Sequence, residues 1–309
     1  MNIIVLGAGG FIGTNLTIAL SKIENNRITV VDRDENRLNR LKISDKVNVI
    51  KNDLVLKLNF DDILRGQDIV YHLISTTVPS TSNRQIPKEI NDNVKLMAEL
   101  LEACVRCDVK KVIFLSSGGT VYGSRNRCPL KEEMETYPIN SYGMQKVMNE
   151  KLLYLYQYLY GLDYRIIRLA NPFGPYQEPD GIQGVISTFT YKALKNENIN
   201  VYGDGSVVRD FIYIDDAVQA IMNIADGKGE ERLFNVGSGC GTSIKQLLEI
   251  IEKVLKVSIS VNYFPGRKVD VPVNYLDISR YERNFGKLVS VSLEEGIQKT
   301  LAFMRKAYL

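Results

Sequence analysis

The sequence predicts an α/β fold, a doubly wound parallel sheet with helices on both faces, followed by a smaller C-terminal lobe. Three observations carry this expectation. Short β-branched runs alternate with stretches of helical period through the first half of the chain. The runs are almost continuously apolar, as strands covered on both faces must be. After Asn171 the texture changes: NPFGPYQEPDG reads as a long loop, and the elements beyond it are shorter and mixed.

The expected strands are 2–7, 27–32, 47–53, 68–75, 111–117 and 164–170, with helical patterns at 12–23, 93–104 and 141–160. FIYIDDAVQAIMNIA (211–225) reads as a strand and then a helix returning to the main body. Residues 1–170 are therefore expected to form the main domain, with 205–240 partly returning to it and 171–309 mainly in the smaller lobe. No repeat or flexible linker parts the two, so they should share one interface.

Composition narrows the function. The 309 residues are 45% hydrophobic and 24% charged, and a scattered net charge of +3 is too mild for nucleic acid as the main partner. MNIIVLGAGG turns to glycine at the seventh residue and does not read as a signal peptide, and no apolar run reaches membrane-spanning length. A soluble protein of the reducing cytoplasm, without a membrane partner, is expected. Cys104 and Cys107 form a CxxC at the end of a helical pattern with no second CxxC, so helix packing is preferred to a metal or redox role. The sequon Asn15-Leu16-Thr17 sits in a helix and is read as chance.

The first strand runs into Gly7-Ala8-Gly9-Gly10-Phe11-Ile12-Gly13 and then a helix. Gly7 permits a tight turn, Gly10 lets backbone approach a pyrophosphate, and Gly13 lets the helix pack on the strand. The amides of the helix start, at Phe11 and Ile12, suit phosphate. Asp32 closes the second strand about twenty residues later, placed to accept from an adenosine ribose and to repel a 2′-phosphate. This Rossmann-type pattern favours NAD over NADP, with neighbouring Arg33 the one opposing sign. Asp53, followed by Leu54, fits a hydrogen bond to adenine or a solvated strand end equally well.

SYGMQK (141–146) opens a helix, and Tyr142 and Lys146, four apart, share a face. An ammonium beside a phenol should lower its pKa from about 10 toward neutrality. Such a tyrosine can take a proton from a sugar hydroxyl while hydride leaves the same carbon. The bland alternative is a surface pair on a tyrosine-rich helix.

Taken in order, GAGGFIG, Asp32, SSGGTVYG, YGMQK, NPFGP and VRDFIYIDD resemble the extended short-chain dehydrogenase/reductase family, and within it the UDP-sugar 4-epimerases of the UDP-galactose 4-epimerase type. The resemblance covers essentially the whole chain. It implies that NAD stays bound and is regenerated in each turnover, with Tyr142 as base and Lys146 holding the nicotinamide ribose. It further implies Asn93 near the cofactor, Asn171, Arg209 and Arg267 on the diphosphate, and Asp270 on the uridine ribose. Solvated loop charge is the other reading of the two arginines. His72, the only histidine, is read as structural.

Two departures stand out. Many relatives carry serine or threonine at the position of Gly118, and many epimerases carry a cofactor-contacting lysine where Thr77 stands. Alternation along an extended segment puts Ser116, Gly118 and Thr120 on one side, so Thr120 is assigned the proton-bridging contact to the sugar, with Ser117 second. Asn274 matches a gate occupied by tyrosine in glucose-restricted epimerases, so a smaller residue should admit an acetamide. Sister enzymes that dehydrate or decarboxylate carry acids where this chain has Gly119-Thr120, which favours C4 epimerisation of a UDP-hexose or UDP-N-acetylhexosamine. The alternatives are a nucleotide-sugar reductase or dehydrogenase and a non-catalytic NAD-sensing regulator. A homodimer through helices 93–107 and 142–160 is expected.

Overall fold

The computed structural model of the protein describes residues 1–55, 59–179, 183–266 and 271–308. Alternation along the first strand shows how the fold is built. Ile3 and Val5 point into one apolar core, and Ile4 and Leu6 into another on the opposite face. A strand buried on both faces needs helices on both, and they are present. Phe11–Ser21 and Ile214–Asp226 cover the first face; Phe60–Leu64, Leu96–Arg106 and Ser141–Tyr160 cover the second.

Seven parallel strands form the sheet, in the order Val47–Lys51, Arg27–Asp32, Asn2–Leu6, Ile69–His72, Lys111–Ser117, Asp163–Leu169 and Leu233–Val236. The chain winds one way from the first strand and then back past it through the fourth. That reversal opens a crevice at the carboxyl ends of the first and fourth strands, where ligands of such sheets bind. The six expected strands are all present, but two end early, at Lys51 and His72, and the residues after them line the crevice instead of continuing the ladder. The seventh strand was not among those expected. LFNV is short and buries the polar Asn235, so its place is fixed only by pairing, Leu233 opposite Ile166 through Val236 opposite Leu169.

The helical pattern from Asn93 begins one turn differently, because Asn91–Lys95 is a π-helical turn before Leu96–Arg106 becomes regular. Cys104 is buried on that helix, and both it and Cys107 are free thiols. Helices Val185–Leu194, Ile244–Leu255 and Leu293–Ala307 pack together. One core runs without a break from Ile3 and Val5 to Leu247, Ile251 and Ile297 of the C-terminal third of the chain. Strand Asn171–Phe173 pairs with Phe211–Tyr213, which carries Asn171 to the mouth of the crevice beside Arg209. Among the described residues, no helix is long and apolar enough to cross a membrane.

Helix Ser141–Tyr160 is capped by Asn140, whose side chain accepts from Gly143 N at 2.8 Å, and ends at Gly161 in the left-handed region. Its buried stripe is unusual. Toward the N-terminus it is polar, with Ser141, Gln145, Lys146, Asn149 and Glu150, and only beyond these does it become apolar at Leu153 and Tyr156. Buried polar side chains require partners, and those partners define the site.

Candidate active site

Two cavities, of about 500 Å³ and about 190 Å³, lie along the crevice and share Gly7, Gly10, Leu73 and Ser75 at their join. The smaller is lined by Asp32, Arg33, Arg37, Asp53 and Leu54. Asp32 already accepts from Gly9 N at 2.9 Å and from Asp34 N at 3.1 Å. Each carboxylate oxygen keeps a second acceptor position for a ribose. At the join, the first intrahelical bond is Thr14 N to Gly10 O at 2.9 Å. The preceding amides of Phe11, Ile12 and Gly13 are the helix's free donors, and all three residues line the larger cavity. A Cβ on Gly13 would stand 2.4 Å from Gly7 O, so only glycine lets the helix end come this close to the first strand.

Ser117, Tyr142 and Lys146 meet in the larger cavity. Ser117 stands on the same cavity wall as Tyr142, and burial pushes the Tyr142 phenol up to about 12, with the Ser117 side chain acting the other way. Lys146 Nζ donates to Leu115 O at 2.8 Å and stands 5.5 Å from the centre of the Tyr142 ring. The lowering of Tyr142 toward neutrality expected from its spacing to Lys146 is not found: burial sets its pKa. Burial also takes Lys146 down to about 8, opposed by the Glu150 carboxylate.

The expected alternation past Ser117 does not hold, because Gly118–Thr120 is a turn: Gly118 N donates to Leu169 O at 2.8 Å and Val121 N to Ser117 O at 3.3 Å. Ser116 faces away, donating to Glu150 Oε1 at 2.5 Å, and Ser117 faces Tyr142. Thr120 still lines the cavity, and its Oγ1 is buried without a partner, as is that of Thr77 across the same cavity. Both hydroxyls suit a polar ligand. The paired glycines differ in cause. A Cβ on Gly118 would meet Leu276 Cδ1 at 2.6 Å, whereas one on Gly119 would meet only Ser117 Oγ, at 3.9 Å.

Asn171 and Arg209 line the larger cavity as expected. The Asn171 side-chain amide donates to Asp210 O at 2.8 Å, and Arg209 donates to Val208 O at 2.9 Å and Val271 O at 2.6 Å. Asn93 and Asn274 line neither cavity. Asn93 is a strut behind the wall: its Oδ1 accepts from Thr76 N at 2.9 Å, and its amide donates to Thr76 Oγ1 at 2.8 Å. Asn274 is buried under the glycine turn, donating to the carbonyls of Gly118 and Gly119, each at 3.4 Å. It therefore fastens the turn instead of gating the cavity. Arg267 and Asp270 lie outside the described residues. His72 is buried with Nδ1 unpartnered, and burial pushes its pKa down to about 3.

Sequence reasoning missed several participants. Glu89 accepts from Ser141 Oγ and, at 3.2 Å, from Gln145 Nε2, docking the start of the Tyr142 helix onto the short helix Ile86–Ile90. Gly143 lets that helix approach the glycine turn, since a Cβ there would meet Thr120 O at 2.9 Å. Glu150 and Arg168 pair beneath Lys146. Only the run of polar residues on one helix face hinted at them.

A dinucleotide crevice ending in a serine, tyrosine and lysine cluster defines an oxidoreductase-type site of the short-chain dehydrogenase/reductase class. The chain belongs to the NAD-dependent epimerase/dehydratase family, whose sequence profile matches residues 3–237. It is 33% identical over 314 residues to a UDP-glucose 4-epimerase of Mycolicibacterium smegmatis, covering 99% of each chain. Its fold matches the structure of Thermotoga maritima UDP-glucose 4-epimerase with UDP-glucose at a TM-score of 0.93 and 33% identity, over 100% of both chains. A UDP-N-acetylglucosamine 4-epimerase from Methanobrevibacter ruminantium, in complex with UDP-N-acetylmuramic acid, matches at a TM-score of 0.91 and 32% identity, over 99% of this chain and 98% of that one. NAD is the cofactor of this family, and the free amides at the glycine loop together with Asp32 fit its diphosphate and ribose.

Proposed function

We propose that this protein is an NAD-dependent 4-epimerase of a UDP-hexose or UDP-N-acetylhexosamine. One observation carries the reading. Among the described residues, the larger cavity is lined by the Ser117–Tyr142–Lys146 cluster and by no carboxylate or imidazole. Elimination of water calls for a further acid or base; inversion through a ketone calls for one base alone.

Bound NAD supplies a reusable hydride acceptor and, when oxidised, a cationic ring that favours the phenolate. Tyr142 takes the proton of the sugar's C4 hydroxyl and later returns it. Ser117, beside Tyr142 on the cavity wall, bridges that transfer, and Thr120, with its hydroxyl unpartnered, holds the sugar. Lys146 keeps a positive charge beside the phenol and grips the nicotinamide ribose. Asn171 and Arg209 face the diphosphate of the substrate. Acceptance of an N-acetyl group is supported by the likeness to the Methanobrevibacter enzyme, and no longer by Asn274.

Purified protein incubated with UDP-glucose or UDP-N-acetylglucosamine, without added NAD, should yield the C4 epimer and show no net change in NADH absorbance. NADH consumed or produced mole for mole would make the protein a reductase or dehydrogenase. Bound NAD with no product from either sugar would favour the regulator.

A further inference from the structure

We propose that Glu150, held by Arg168, is a positioning residue that keeps Lys146 cationic through space, without touching it. Tyr142, Lys146 and Glu150 succeed one another at intervals of four, so they descend one helix face with about 5–6 Å between successive Cβ atoms. Glu150 and Arg168 are both buried. Arg168, from the strand Asp163–Leu169, grips the carboxylate with two bonds, Nε to Oε1 at 3.0 Å and a terminal nitrogen to Oε2 at 2.7 Å. Ser116 Oγ adds a third, to Oε1. The guanidinium is fixed in turn by the Tyr122 ring at 4.8 Å and by Glu132 O at 3.3 Å.

With both its oxygens engaged, the carboxylate is not drawn onto the lysine, and Lys146 Nζ stays on Leu115 O at 2.8 Å. Glu150 nonetheless follows Lys146 by one helical turn among buried groups, where its negative charge favours the charged lysine against the cost of burial. A buried ion pair is a poor source of stability compared with apolar side chains of similar volume, so its presence here asks for another role. The other groups facing Lys146 cannot supply that charge. From its own helix comes the neutral phenol of Tyr142; from the fourth strand His72, kept neutral by burial; from the fifth the Phe114 ring and the Leu115 carbonyl. Arg168 on the sixth strand is a cation, bonded to the far side of the pair, and its own field opposes that of Glu150.

The consequence for turnover rests on the role given to Lys146 above, but the titration of that lysine can be read without turnover. In protein bearing isotope-labelled lysine, the Lys146 side-chain NMR signal, assigned by its loss in Lys146→Met, is followed against pH in wild type, Glu150→Gln and the double variant Glu150→Met/Arg168→Met. The double variant replaces the pair with apolar side chains and guards against a single variant that fails to fold. Glu150→Gln should titrate lower than wild type by about one pH unit or more and the double variant lower by less, since it also removes the opposing cation, and the alkaline fall of kcat should move down with them. A Lys146 midpoint unchanged in the folded double variant would overturn the proposal, leaving the pair as structural support. Shifted titration without epimerase activity in wild type would instead leave the pair's role standing and sink the functional reading.

Discussion

Two hydroxyls compete for the proton-bridging role, and the turn at Gly118 ranks them. Ser117 is the hydroxyl that acts on the Tyr142 phenol, while Thr120 lines the cavity with its hydroxyl bonded to nothing. Ser117→Ala is therefore expected to lower kcat by roughly 10²-fold, with Tyr142→Phe costing more. Thr120→Val should act mainly on KM. Steady-state kinetics on the four proteins check the ranking, and a full loss confined to Thr120→Val would reverse it. His72 makes a separate prediction. Its folded pKa of about 3 lies below the ordinary 6.5, so the unfolded chain binds the proton that the folded chain refuses. The neutral form's contribution is complete above about 6.5 and lost as pH falls from there toward 3, at up to ~1.4 kcal/mol per pH unit. Urea midpoints of wild type should fall with acid more steeply than those of His72→Leu, which cannot take up that proton.

At the scale of elements, the glycine turn after the fifth strand is held from below by the strand Val273–Asn274 and its continuation at Leu276. Gly118 is there because Leu276 fills the space a side chain would use. Gly118→Ala should cost about 1–3 kcal/mol by overpacking. Trimming the obstacle in Gly118→Ala/Leu276→Val should return part of that loss, although the contact of the new Cβ with Arg168 O at 3.1 Å would persist. Gly119→Ala, with open space before it, should leave the denaturation midpoint nearly unchanged. Equal destabilisation by the two single alanines would contradict this account of the turn. Alternation along the fifth strand correctly separates Ser116 from Ser117, but it could not be carried past Ser117, because the backbone then turns, Val121 N bonding back to Ser117 O.

For the whole molecule, helix Ser141–Tyr160 leaves an apolar face uncovered. Tyr154, Leu155, Tyr158 and Leu159 are exposed there, Tyr158 to 74%. Residues spaced in this way lie on one side of a helix, and a monomer has little reason to present them to water. We propose that a second copy of the chain covers them, with the outer side of helix Leu96–Arg106 at the edge of the contact. Light scattering should give a dimer for wild type and a monomer for Tyr158→Glu/Leu155→Glu. A wild-type monomer at micromolar concentration would remove the proposal.

Periodicity and local chemistry were enough for the six strands, the glycine loop, Asp32 and the Tyr142/Lys146 helix, because each is specified by residues within one or two turns of one another. Register and burial were not so accessible. Leu233–Val236 becomes a strand only by pairing with Asp163–Leu169. Asn93 and Asn274 carry residue types that suit a ligand, yet their amides are consumed by Thr76 and by the glycine turn, partners 17 and 155–156 positions away. The pKa of Tyr142 moved opposite to its expectation because burial, a property of the packed molecule, governs it. By itself the sequence determined which side chains could do the chemistry and on which elements they ride. Only the tertiary structure decided which of them face the crevice and which are spent holding its walls, since a polar atom's availability depends on contacts between segments far apart in the chain.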